Sequence, residues 1–274
     1  MIDPFDYKEP NCPLCNGKDF YYPKKNSPKG SIPVNRIIEK LEHAFNKNDM
    51  LEAQRLLEYW QLEAQELLDK KGELSVVNEM LGLYRKLNHK QKAYQSIQRA
   101  VKLIEELKIE KEFSCGNIYL NIATTFKAIE KTVEGLPFYD KAFEIFSASP
   151  NRSKDLMSGF YNNKAVALAS LGKNEDALLC YEKALEHLKN TPNEFTDSAI
   201  TLINLCHLYY QMDDIEKAKE CVKKAILLLE DERVIKNGYY AYVLEKCLPA
   251  IVHFGYDNKA DEYEKIIKEI YEGN

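Results

Sequence analysis

Three asparagines recur at a near-constant interval: Asn121, Asn163 and Asn204, separated by 42 and 41 residues. A primary amide carries both a donor and an acceptor, so it can pair with the C=O and N–H of a peptide backbone without reading side chains. Helical spacings of three, four and seven gather Asn117, Thr124 and Ala128 around the first, and Gly159, Val166 and Ser170 around the second. They gather Ile200, His207 and Gln211 around the third. An earlier segment supplies Asn78, Gly82, Arg85 and Lys86. Residues of this kind bind rather than react. The competing reading is structural: the amides bridge neighbouring helices or face water, and Arg85 and Lys86 are solvated charges at a helix C-terminus rather than contacts for the acidic end of a peptide. Asn162 falls outside the series, because Leu120 and Ile203 hold its equivalent places.

A second constellation is Cys12-Pro13-Leu14-Cys15, followed by Asn16-Gly17. Two cysteines at this spacing make half of a structural zinc site, which needs four ligands. The rest would have to come from His43, Cys247, His253 or a second chain. The other readings are a plain pair of thiols and, lacking a βαβ context, a redox pair. His43, His89, His187 and His253 have no partner at metal-ligand spacing, and His207 belongs with the amides. GxxxxGK, GxGxxG, HExxH and GxSxG do not occur, and no catalytic residues are assigned.

The elements that must carry the amides repeat. The spacing Ala177-x3-Tyr181-x2-Ala184 recurs at Ala93-x3-Ile97-x2-Ala100, Gly135-x3-Tyr139-x2-Ala142 and Ala218-x3-Val222-x2-Ala225. Looser copies begin at Ala53 (with Leu57 and Trp60) and at Ala260 (with Glu264 and Ile267). The leading small residues lie 40, 42, 42, 41 and 42 apart. Twelve residues before each lie Leu41, Leu81, Ala123, Ala165, Cys206 and Leu248, and nine before lie Ala44, Tyr84, Phe126, Leu168, Tyr209 and Ile251. All are apolar at helical spacing. Turn residues stand between: Asn48-Asp49, Asn88-His89, Gly172-Lys173-Asn174, Asp213-Asp214 and Gly255 to Asn258. Each unit is therefore a helix, a short turn and a second helix. The small residues mark the crossings, where they let backbones approach to about 8 Å. Pro249 predicts a kink or break in the eleventh helix.

This pattern resembles the tetratricopeptide repeat, whose signature residues correspond in the fourth unit to Tyr161, Lys164-Ala165, Leu168, Ala177, Tyr181 and Ala184. The resemblance spans residues 34–274. The period exceeds the family's usual value of about 34 and is similar to the long repeats of kinesin light chain and bacterial peptide-pheromone receptors. It implies an all-α solenoid, six helix pairs in a right-handed superhelix. It also implies a concave groove in which Asn121, Asn163 and Asn204 hold a ligand backbone; helical spacing adds Thr124, Val166, His207 and Gln211 beside them, and the second unit of the repeat adds Asn78 and Lys86. The Lys and Asn set of the carboxylate-clamp subclass is not reproduced, and residues 1–33 are too short and Pro-rich for a DNA-binding helix-turn-helix.

Bulk properties narrow the partners. A net charge of −5 and a pI near 5.7 disfavour nucleic acid. No run approaches the ~20 apolar residues of a membrane helix. The N-terminus, from Met1 to Asp6, has no apolar leader, and seven cysteines, most of them single within helices, suit a reducing cytoplasm. Residues 1–33 form a Pro-rich extension carrying the cysteine knuckle, ahead of a solenoid over 34–274. The expected function is non-catalytic protein or peptide binding without a cofactor. Alternatives are a peptide sensor that inhibits a partner protein, a structural zinc at Cys12 and Cys15, and a self-associating scaffold forming homo-oligomers.

Overall fold

The computed structural model describes residues 30–150 and 153–273. Cys12 and Cys15 lie outside these residues. Twelve helices and no strand are present among them. They run α1 (Val34–Asn46), α2 (Met50–Glu66), α3 (Lys70–Lys86), α4 (Lys90–Leu107), α5 (Phe113–Ala128) and α6 (Thr132–Ala148). Then follow α7 (Lys154–Ser170), α8 (Asn174–Leu188), α9 (Glu194–Gln211), α10 (Ile215–Leu229), α11 (Gly238–His253) and α12 (Asp257–Glu272). The fold is an all-α array of six helix pairs. It divides into two compact units, the first ending at Ile145 and the second beginning at Phe146, inside α6.

One turn geometry is used six times. The second residue after each first helix takes a left-handed conformation: Asn48, Asn88, Glu130, Gly172, Asp213 and Gly255, with φ between 53° and 81°. The next N–H then reaches back five residues to a helix carbonyl, a Schellman bond that satisfies an orphan acceptor. The acceptors are Ala44, Tyr84, Phe126, Leu168, Tyr209 and Ile251, at 2.8–3.0 Å. These are the residues nine before each small residue in the sequence pattern. The residue donating this bond also starts the second helix, so chain reversal and helix initiation share one position. Aspartates do both jobs well: the Asp49 and Asp214 carboxylates also accept from the N–H of Glu52 and Lys217.

The small residues sit at the crossings. Ala53, Ala93, Ala177 and Ala218 are fully buried, as are Ala123, Ala165 and Cys206 on the facing first helices. At Gly135 the reason for glycine is steric: a Cβ there would stand 3.0 Å from the Ala123 carbonyl and from Phe126 Cβ. In the sixth pair the burial differs from the sequence pattern by one residue. Cys247 and Tyr263 are enclosed, while Leu248 is half-buried and Glu264 exposed. Cys247, Leu248 and Ile251 share one helical stripe, so apolarity alone does not choose between the first two. α11 also runs unbroken through Pro249, which lies on its exposed side. There the Glu245 carbonyl that loses its N–H donor can turn toward water.

Asp69 is a separate junction. Its Oδ1 accepts from the N–H of Gly72 at 3.0 Å, capping α3, and its Oδ2 accepts from the N–H of buried Ile32 at 2.9 Å. Ile32 therefore belongs to the packed core of the first unit.

Candidate functional site

In each unit the first helices carry a polar face. The first unit shows it on α3 and α5. Asn121 donates its amide to Asn78 Oδ1 at 2.9 Å, and Asn78 donates to Glu79 Oε1 at 3.2 Å. Burial pushes the Glu79 carboxyl above its ordinary value; the bond from Asn78 opposes this, and Glu42 nearby adds to it. The Thr124 hydroxyl donates to the Asn121 carbonyl at 3.0 Å and accepts from the Arg85 guanidinium. Lys86 points the other way, with Nζ 3.4 Å from Asn48 Oδ1. Thus Asn78, Asn121 and Thr124 form one connected network, and Arg85 and Lys86 are both engaged within the first unit.

The second unit shows the face on α7, α9 and α11. Asn204 donates to Asn162 Oδ1 at 3.1 Å. Asn162, not Asn163, is therefore the partner of Asn204, which overturns the expectation that it stands apart. Asn163 donates to the Gly159 carbonyl one turn back in its own helix, at 2.9 Å. Val166 packs against the core edge, while His207 and Gln211 lie exposed on α9. Desolvation of the His207 imidazole, with His253 close by, holds it below its ordinary value.

The amide pairs obey an offset the sequence pattern hides. Asn78 and Asn121 are 43 residues apart, and Asn162 and Asn204 are 42 apart. Both exceed the local period, 42 and 41, by one residue. Stacked first helices are thus staggered by one position, so equivalent residues are not partners. The same 42-residue step joins Asp197 to Tyr239, whose hydroxyl donates to Asp197 Oδ1 at 2.5 Å. It also relates Asp155 to Asp197, which are close enough to repel. Burial, then Asp155, raises the Asp197 carboxyl against the bond from Tyr239. Tyr239 stacks on Tyr242 with ring centroids 6.1 Å apart, and Lys246 lies 5.5 Å over Tyr242. The sequence pattern sets Asn162 aside and leaves Tyr239, with Tyr240 and Tyr242, as either a C-terminal cap or an aromatic surface for a partner; it does not single out Asp155 and Asp197, although the 42-residue spacing is present in the sequence.

The floor of this face is open. A side chain built at Gly82 on α3 or Gly159 on α7 would meet nothing within 4 Å. Gly159 falls between Asp155 and Asn162 on one side of α7, at helical spacing.

No group of three metal-ligating side chains occurs among the described residues. Cys115, Cys180, Cys206, Cys221 and Cys247 are free thiols. Burial pushes the Cys247 thiol up to about 12. No helix among the described residues is long and apolar enough to cross a membrane.

The sequence profile described as tetratricopeptide repeat matches residues 156–231, the region of α7 to α10. No curated protein matches the chain by sequence. Among solved structures, the chain is similar to BtubC (BKLC) from P. vanneervenii. The two share 25% identity and a TM-score of 0.57 over 71% of this chain and 79% of that one.

Proposed function

We propose that this chain, whose helix pairs are tetratricopeptide repeats of a long-period form, is a non-catalytic scaffold that binds an extended peptide or protein segment on the polar face of its first helices. Tetratricopeptide repeats suggest a protein-interaction role in general. The observation that carries the finer reading is the open amide rung of the second unit. Asn162 and Asn204 share one hydrogen bond, which leaves the Asn162 amide hydrogens and the Asn204 carbonyl without partners among the described residues. A donor and an acceptor side by side match the C=O and N–H of an extended backbone. In the first unit the corresponding donor is already given to Glu79, so its rung offers less.

Open space over Gly159 provides the means to test this. Gly159→Leu fills the face without touching the core, and removing a mid-helix glycine favours the helix by about 0.5–1 kcal/mol. Peptides selected from a random display library on the wild-type chain are expected to lose binding to Gly159→Leu and to Asn162→Ala/Asn204→Ala, with the helical circular dichroism unchanged. Peptides that bind all three proteins equally would place recognition elsewhere.

A further inference from the structure

We infer that the peptide segment held on α7 and α9 carries a lysine or arginine side chain, seated between Asp155 and Asp197 while its backbone lies on Asn162 and Asn204. This deepens the reading above and rests on it.

The geometry begins with spacing. Asp155 and Asn162 are seven residues apart on α7, and Asp197 and Asn204 are seven apart on α9. Seven residues are two helical turns, so both aspartates lie on the same face as their asparagines, about 10 Å along the helices. The amide rung and the carboxylate rung thus run parallel across the same two helices, with Gly159 open between them. An extended chain covers that distance in about three residues, and a lysine or arginine stem shortens it further.

Charge supplies the second argument. Asp155 has no ion-pair partner among the described residues, and Asp197 has only the neutral Tyr239 hydroxyl. Several carboxylates of the second unit are held by cations, Asp231 by Arg233, Asp214 by Lys217, and Glu230 and Glu262 by Lys259, whereas the Asp155 and Asp197 pair is not. Two neighbouring carboxylates without a cation repel each other, and a cation arriving between them relieves both. An ammonium or guanidinium on the ligand is the complementary group, whereas an acidic side chain here meets like charge. The Tyr239 hydroxyl fixes one carboxylate, so less side-chain ordering is left for the moment of binding.

The test uses the full chain and its Asp155→Asn/Asp197→Asn variant, in which shape and the acceptor for Tyr239 are kept. A random peptide library is selected on wild type, the aspartate variant and Gly159→Leu. Lysine or arginine should be enriched at one position of the wild-type peptides and lose that enrichment on the aspartate variant. A wild-type-selected peptide should bind the aspartate variant at least tenfold more weakly. Changing its basic residue to glutamine should weaken wild-type binding equally and variant binding little, a coupling that a structural role cannot produce. Peptides that need an open Gly159 but show no basic preference, or whose basic residue is indifferent to the aspartates, overturn this inference and leave the groove standing. The absence of any Gly159-dependent peptide overturns the groove, and this inference with it.

Discussion

Glu58 and Glu79 lie on neighbouring helices and titrate in opposite directions. Burial acts to raise both. At Glu58 it is outweighed by hydrogen bonds from Lys92 at 2.6 Å, Tyr84 at 2.8 Å and Gln54 at 3.0 Å, and the carboxyl falls below its ordinary value of 4.5. At Glu79 burial prevails and the carboxyl rises. A depressed value in the folded state means stability that is present above 4.5 and lost as pH falls through the folded value; a raised one means stability present below 4.5 and lost as pH rises through the folded value. Glu58→Gln should therefore cost about 1 kcal/mol at pH 7 and progressively less below pH 4.5. Glu79→Gln keeps an acceptor for Asn78 and should stabilise the chain at pH 7, with no effect in acid. Urea unfolding of both variants at pH 7 and pH 4 measures this, and a parallel response of the two would contradict it.

At the scale of the helix pair, the crossings and the turns carry the fold. Ala177 is fully buried where α8 meets α7. Leucine there should overpack the crossing and cost about 1–3 kcal/mol, read as a lower urea midpoint at unchanged slope. The turns between pairs follow a looser rule. Leu68, 64% exposed, holds φ 58° after α2, a conformation that disfavours a branched residue. Leu68→Gly should raise stability by about 1 kcal/mol, since glycine takes the left-handed region freely. A loss of stability would mean that the Leu68 side chain makes a contact worth more than this strain. Five of the six turns within pairs were marked by Asn, Asp or Gly. The sixth uses Glu130, because the Schellman bond from Lys131 to Phe126 and the packing of the pair impose the geometry whatever the residue.

For the molecule as a whole, the second unit has its own core, drawn from α7 to α12 and including Tyr181, Cys206, Tyr240, Cys247 and Tyr263. Phe146 is fully buried and packs edge-to-face on Phe160 at 6.2 Å. In repeat proteins stability is a sum of units and nearest-neighbour terms, so three stacked pairs suffice for folding. A fragment covering 146–274 should fold cooperatively, with helical circular dichroism and a single urea transition. A fragment starting at 153 should be less stable, because it loses Phe146. A gradual, non-cooperative transition of the longer fragment would show that the second unit depends on the first.

The sequence by itself determined the helix pairs, their period and their crossings. Those features are local, or repeat at a fixed interval, and each copy reinforces the others. It also marked the polar face of the first helices, where Asn78, Asn121, Thr124 and Asn204 are found. It could not assign partners across that face. Burial of the sixth pair on Cys247 rather than Leu248, and the choice of Asn162 rather than Asn163 for Asn204, both turn on a shift of one residue. Periodicity compares equivalent positions, whereas stacked helices are offset along their axes by the side chains between them. Only tertiary packing sets that offset, and with it which amides meet and which carboxylates are left without a cation.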